Sequence, residues 1–257
     1  MMNSIAISKE DRLLLYRYLG QGTCDKKIII LGNEPGLAGV NDLPDMILKI
    51  RNGSVTKGYE IGKHVPFQLS ESFSHPTTSE FARFGSRLEL AVTYNDPRFI
   101  GELSEQGKIA INNHIFKPIS EKNSSLLNLR PLPRPTQDTW IYSNINRKEY
   151  NKEWNFGLKR HNMTPEGMER VEGIVRFIQN VTDGIILGVG EKENKKLFFK
   201  KFFPNDEFWK INLDSHSIYY NSKRKIILSD YFNSRNGIKL QGLKELYDFL
   251  ISRKLIW

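Results

Sequence analysis

The sequence predicts an α/β fold, a three-layer arrangement in which helices cover both faces of a mainly parallel sheet. Two observations carry this reading. Short β-branched apolar runs, Lys26–Leu31 (KKIIIL), Asp183–Gly188 (DGIILG) and Lys225–Leu228 (KIIL), have the character of strands buried on both faces. Amphipathic segments of helical period alternate with these runs along the chain, the pattern of parallel strands joined by crossover helices. The 257 residues, 39% apolar and 26% charged, suffice for a sizeable core and argue against general disorder. No linker or repeat divides the chain, so a single domain over 1–257 is expected.

Residues 9–19 (KEDRLLLYRYL) read as a short amphipathic helix before the first strand, which Gly32 stops. An irregular stretch follows from Asn33 to Ser74, with a short helix at 42–51. Thr77 and Glu80 have capping-box spacing for a helix running to about Tyr94. Residues 108–116 (KIAINNHIF), 124–129 (SSLLNL) and 139–145 (TWIYSNI) read as strands. The prolines of RPLPRP at 130–135 cannot donate ladder hydrogen bonds, so this run is loop or edge. Thr164-Pro165 starts a strong helix, with Met168, Val171, Ile174, Val175 and Ile178 at helical spacing. A basic amphipathic helix covers Glu191–Phe203, strands cover 208–213, 216–220 and 225–228, and a final helix spans 240–252.

Lys and Arg total 38 against 29 Asp and Glu, a net charge of +9 and a pI near 9.4. This favours an anionic partner, nucleic acid first and an acidic membrane surface second. The single cysteine, Cys24, excludes an intramolecular disulfide and a cluster held by four thiolates. Five scattered histidines without close pairing give no metal-ligand pattern, so neither metal nor cofactor is expected. No apolar run has the length of a membrane span and no signal-peptide core is present. A soluble cytoplasmic monomer without membrane contact is the expectation.

Ligands of parallel sheets bind beyond the carboxyl ends of the strands, which singles out the loops after Leu31, Asn128, Gly188 and Leu228. The first reads Gly32-Asn33-Glu34-Pro35-Gly36, an amide and a carboxylate between a strand-ending glycine and a Pro-Gly turn. It serves either as a strand-exit turn with solvated polar groups or as a rigid mount for chemistry. Asn128 either satisfies loop backbone groups or presents its amide to the edge of a base. Loop 229–237 (SDYFNSRNG) has groups suited to phosphate contacts, although Asn-Gly is also ordinary turn chemistry. Lys192, Lys195, Lys196 and Lys200 are read as one broad basic helix face, directed to solvent or to phosphates.

Taken in order, these motifs resemble the uracil-DNA glycosylase superfamily. GNEPG at 32–36 is similar to the family's first motif, LLN at 126–128 to its strand-closing Asn, and RPLPRP to an Arg-Pro-Pro stretch of some branches. FSHPTTSEF at 73–81 is similar to the Phe-x-His-Pro segment of the mismatch-specific branch. The helix, glycine-ended strand and Lys-rich helix at 164–181, 183–190 and 191–203 follow in the family's order. The likeness covers most of 26–252. It implies a central, mainly parallel four-stranded sheet with extra strands, and DNA as partner. It further implies hydrolysis of the N-glycosidic bond of a flipped pyrimidine, leaving an abasic site.

On this resemblance Glu34 stabilises the developing sugar cation and orients water, with Asn33 assisting. Asn128 reads the pyrimidine edge and Phe73 stacks on it. Ser229, Arg235, Asn236, Lys195 and Lys196 hold the DNA backbone. No lysine stands in a matched motif position for lyase chemistry. The chain departs from the family at SDYFNSRNG, which lacks the histidine that usually opens the last motif, and in the long 38–72 insertion. Both departures point to a bulky modified cytosine, such as glucosylated hydroxymethylcytosine of virus DNA, beside uracil itself, and to antiviral defence as the setting. The other reading is a noncatalytic binder of modified or single-stranded DNA on the same fold.

Overall fold

Alternation along buried strands dictates two cores, one on each side of a sheet. The computed structural model describes residues 4–35, 42–52, 80–117, 121–135, 139–232 and 238–256. Helix α1 (Lys9–Arg17) precedes the two-residue strand β1 (Gly20–Gln21) and strand β2 (Ile28–Gly32). Helices α2 (Asp42–Asn52), α3 (Glu80–Tyr94) and α4 (Glu105–Phe116) lead to β3 (Ser124–Asn128). Then come α5 (Arg147–Glu153), α6 (Pro165–Gln179), β4 (Ile185–Val189) and α7 (Lys192–Phe202). Strands β5 (Trp209–Asn212), β6 (Ser217–Asn221) and β7 (Ile226–Ser229) precede α8 (Leu240–Ser252).

The strands form one sheet in the order β1-β3-β2-β4-β7-β6-β5. Its centre, β3-β2-β4-β7, is parallel, while β1, β6 and β5 add to the flanks antiparallel. The fold is therefore α/β with helices flanking a mostly parallel sheet, as the sequence predicts, and four of its strands form the parallel core. Ile29, Leu31, Ile186 and Leu228 point into a core shared with Leu15 of α1, Met46 of α2, Ile174 of α6 and Phe198 of α7. Ile28, Ile30, Leu187 and Ile227 point the opposite way, onto Leu88 of α3 and Leu246 of α8. Burying each such side chain contributes about 1.5–3 kcal/mol, which is why continuous β-branched runs occupy the central strands.

Two expected strands are absent. Residues 108–116 belong to α4: Ser104 caps the helix by accepting from the Gly107 N–H at 3.1 Å. Ile111, His114 and Ile115 form its buried stripe, at i, i+3 and i+4, against Leu90. The Ile109–Ile111 alternation suggested a strand, but Ile109 faces solvent. In 139–145 only Tyr142 pairs, as an isolated bridge to Ile5. Trp140 and Tyr142 instead pack edge-on, and the Tyr142 hydroxyl donates to the Pro133 carbonyl at 2.6 Å. This segment is a prop under the 130–135 loop.

Of the 38–72 insertion, α2 packs Leu43, Met46, Ile47 and Ile50 into the core beside the sheet. The remainder, with Phe73, His75 and the Thr77 cap, lies outside the described residues, as do Arg235 and Asn236. Strand β2 leads to β3 on one side, whereas β4 leads away to β7 on the other. The chain thus switches direction between β2 and β4, where a crevice forms at the carboxyl ends of open parallel sheets. Among the described residues, no helix is long and apolar enough to cross a membrane.

Candidate active site

The register places Gly32 beside Asn128, so the loops after β2 and β3 leave the sheet together. Three backbone hydrogen bonds continue their pairing. Leu129 N–H donates to Gly32 O at 3.1 Å, Arg130 N–H to Asn33 O at 2.6 Å, and Arg134 N–H to Pro35 O at 3.1 Å. Gly32 is closely approached: a Cβ there would stand 3.0 Å from Asn128 Oδ1 and press on that side chain. Asn33 and Asn128 are each 5% exposed, at the two adjoining strand ends.

The loop pairing delivers two arginines to Glu34. Arg134 donates to its carboxylate directly, and Arg130 Nη1 lies 3.9 Å away while Arg130 Nη2 pairs with Glu191 at 2.6 Å. Burial pushes the Glu34 carboxyl above the usual range, although both guanidinium groups pull it down. A buried carboxylate held between fixed cations is oriented and poorly solvated. Such a group interacts strongly with positive charge developing beside it.

Lys195 joins the two sides of the crevice. Its ammonium donates to Asn33 Oδ1, to Val189 O at 3.0 Å and to Gly190 O at 2.6 Å. The sequence reading placed this lysine on a DNA-facing surface, but it is wholly buried. Lys195 lies at i, i+3, i+4 and i+7 spacing with Phe198, Phe199 and Phe202, the inward stripe of α7, so its charge cannot reach a phosphate. Because Lys195 occupies Asn33 Oδ1, the amide is fixed with Nδ2 turned the other way. That Nδ2 is buried without a hydrogen-bond partner.

Gly190, at φ +75°, makes the close approach on the β4 side; a Cβ there would meet Asn33 Nδ2 and the Tyr231 ring, each at 3.1 Å. Glu191, a non-glycine residue at φ 44°, follows it and points at Arg130 and Asn194. Gly190 takes this conformation freely, whereas for Glu191 it costs energy, as it does for non-glycine residues where a chain must re-aim a side chain.

Burial pushes the Lys195 pKa down to about 7 from its ordinary 10.5, with Glu191 and Glu34 partly opposing that shift. Between these two values the unfolded chain holds the proton more tightly than the folded one. Stability should therefore rise as pH increases from about 7 towards 10.5, and the burial of the ammonium is felt most below 7. Lys195→Met should flatten this rise in urea unfolding between pH 6 and 10. Equal slopes for the two proteins would show that Lys195 is not the titrating group.

Two other expected backbone contacts face inward or are engaged. Ser229 is fully buried, and its hydroxyl donates to Asp230 O at 3.1 Å. Lys196 pairs with Glu193 at 3.2 Å and lies 3.7 Å from the centre of the Tyr219 ring. The loop after β7 instead supplies Tyr231, half-exposed at 39%, with a phenol pushed up by burial and by the nearby Glu34 charge. An aromatic two residues past the end of β7 was the sequence signal for it. Arg130, Arg134 and Tyr231 thus join Asn33, Glu34 and Asn128 at one edge of the sheet.

Among the described residues, no group of three or more His, Cys, Asp or Glu is placed to hold a metal ion. No family model matches the chain, and no curated protein matches it.

Proposed function

We propose that this chain is a monofunctional DNA glycosylase of the uracil-DNA glycosylase type, acting on a flipped, non-canonical pyrimidine. The observation that carries the reading is the convergence of a buried carboxylate, Glu34, with two amides, Asn33 and Asn128, on adjoining carboxyl ends of parallel strands. Breaking an N-glycosidic bond puts positive charge on the sugar and negative charge on the departing base. Glu34 faces the sugar, stabilises its cation and orients the attacking water. The Arg134 contact fixes which way the carboxylate points. Asn33 presents an amide donor whose orientation Lys195 sets.

Asn128 reads the pyrimidine edge, and Tyr231 offers a ring to stack on at the same edge. Extrusion of the nucleotide costs a few kcal/mol, offset by attraction between the +9 chain and the DNA backbone. A bulky modified cytosine, such as the glucosylated base of virus DNA, is the substrate this reading favours over uracil. The support is the absence of a histidine from SDYFNSRNG and the length of the 38–72 segment. Removal of such bases would serve antiviral defence.

Asn128 tests the reading. Asn128→Ala should lose activity through recognition, since a bidentate amide contact contributes roughly 1–3 kcal/mol of discrimination, about 5- to 150-fold in rate. Asn128→Asp exchanges a donor for an acceptor and should change which pyrimidine is released. Equal rates for wild type and both variants on every base would remove Asn128 from the site and contradict the proposal.

A further inference from the structure

Beyond Glu34 the site opens into a cleft of about 410 Å3, lined by Arg130, Arg134, Arg147, Asn151, Asn155, Glu191 and Asn194. All seven lining residues are polar or charged, so the cleft is not built for an apolar ligand. Its charge is not balanced internally. Glu34 engages Arg134, and Glu191 engages Arg130. The side chain of Arg147, the third arginine, makes no ion pair or hydrogen bond among the described residues, and neither does that of Asn151.

Asn194 is fully committed. Its amide nitrogen donates to Trp154 O at 2.9 Å and reaches Glu191 at 3.4 Å, and its oxygen accepts from the Phe156 N–H at 2.9 Å. Asn155 Oδ1 accepts from the Gly157 N–H at 3.0 Å. That bond occupies the Asn155 oxygen, and the NH2 group of the same amide donates to no protein group among the described residues. The cleft therefore presents the Arg147 fork and the Asn151 and Asn155 amides, on a background of one uncompensated positive charge.

We propose that this cleft is a phosphate-binding subsite, holding one phosphate ester of a nucleic-acid strand or a free phosphate. Planar guanidinium donors match phosphate oxygens two at a time, and amide NH2 groups take the remaining lone pairs. The volume lies within the range of nucleotide-sized ligand sites rather than of a single trapped water. The excess of Lys and Arg over the whole chain favours a polyanion as the source. This inference goes beyond the proposed function, because it requires no bond to be cleaved. In a strand running over the Glu34 edge, the cleft would hold a backbone phosphate next to the reacting nucleotide.

The test is fluorescence anisotropy with a labelled, unmodified single-stranded DNA hexamer at several salt concentrations. Arg147→Ala should weaken binding at least five-fold and reduce the salt slope by about one. Arg147→Lys should recover part of the affinity, and Lys108→Ala on α4 should leave it unchanged. Displacement of the hexamer by millimolar inorganic phosphate, lost in Arg147→Ala, would assign the cleft to a free anion. Failure of displacement with intact hexamer binding would assign it to the strand. Unchanged affinity and slope in Arg147→Ala, or no binding of hexamer or phosphate by wild type, would overturn the proposal. Glu34→Gln removes a negative charge beside Arg134 and Arg130 and should not weaken the hexamer affinity, so loss of base release and loss of phosphate binding are separable outcomes.

Discussion

Glu34→Gln should slow base release by about 100- to 1000-fold, the scale of losing one pre-oriented electrostatic partner of the transition state. DNA affinity should hold or rise slightly. Gln can still accept from Arg134, so the fold loses little, while Arg134 and Arg130 are left with less negative charge beside them. Binding by phosphate contacts does not need the carboxylate, whereas stabilising a sugar cation does. The pH profile gives a second readout. Since burial raises the Glu34 carboxyl, wild-type activity should be lost as pH falls through a value above that of an ordinary glutamate, about 4.3. Turnover of Glu34→Gln at the wild-type rate would remove Glu34 from the mechanism.

The second large effect is on stability. Arg170, fully buried on α6, ties α1 and the chain after it to the loop after β3. It donates to Leu129 O at 3.0 Å, Tyr16 O at 3.0 Å and Tyr18 O at 2.7 Å, and also to the Asn128 carbonyl. Burial draws its pKa down to about 10, so it stays charged at neutral pH and its hydrogen bonds are charge-assisted. Arg170→Met fills the space but leaves these carbonyls without their donor. The expected loss is roughly 3–5 kcal/mol, the cost of orphaning a buried charged network. In a chain of this size that corresponds to a fall in Tm of roughly 6–20 °C. Because the Asn128 and Leu129 carbonyls are among those released, base release should drop as well, below the unfolding temperature. A Tm within about 2 °C of wild type would show that Arg170 is not the tie described here.

Neither arginine nor lysine could be placed by pattern alone. The strands were legible because Ile28–Leu31, Ile185–Leu187 and Ile226–Leu228 are β-branched runs with no polar interruption, and α6 because Thr164-Pro165 caps it. Lys195 and Arg170 break the rule that charges face water. Each is inside because fixed oxygens satisfy it: those of Arg170 all belong to distant chain, whereas Lys195 combines the nearby Val189 and Gly190 carbonyls with the remote Asn33 side chain. The Lys195–Asn33 contact spans 162 residues and Arg134–Glu34 spans 100, so no local window contains either pair.

Helix α4 was expected as a strand for a related reason: Ile109 and Ile111 mimic a period of two, while the stripe that selects the helix, Ile111 and Ile115, is defined by its packing against Leu90. The edge carrying Asn33, Glu34 and Asn128 was legible because strand ends follow from strand positions. Its partners were not, because pairing across loops is a property of the folded chain.

The central claim, that Glu34 and its neighbouring amides release a modified pyrimidine from DNA, is tested most directly by one assay. Oligonucleotides carrying uracil, hydroxymethylcytosine or glucosylated hydroxymethylcytosine are incubated with the protein and then treated with alkali. The account predicts breaks at the glucosylated position, strong with wild type and nearly absent with Glu34→Gln. Robust breakage at uracil with none at the glucosylated base would contradict the substrate, and intact strands in every arm would contradict the enzyme.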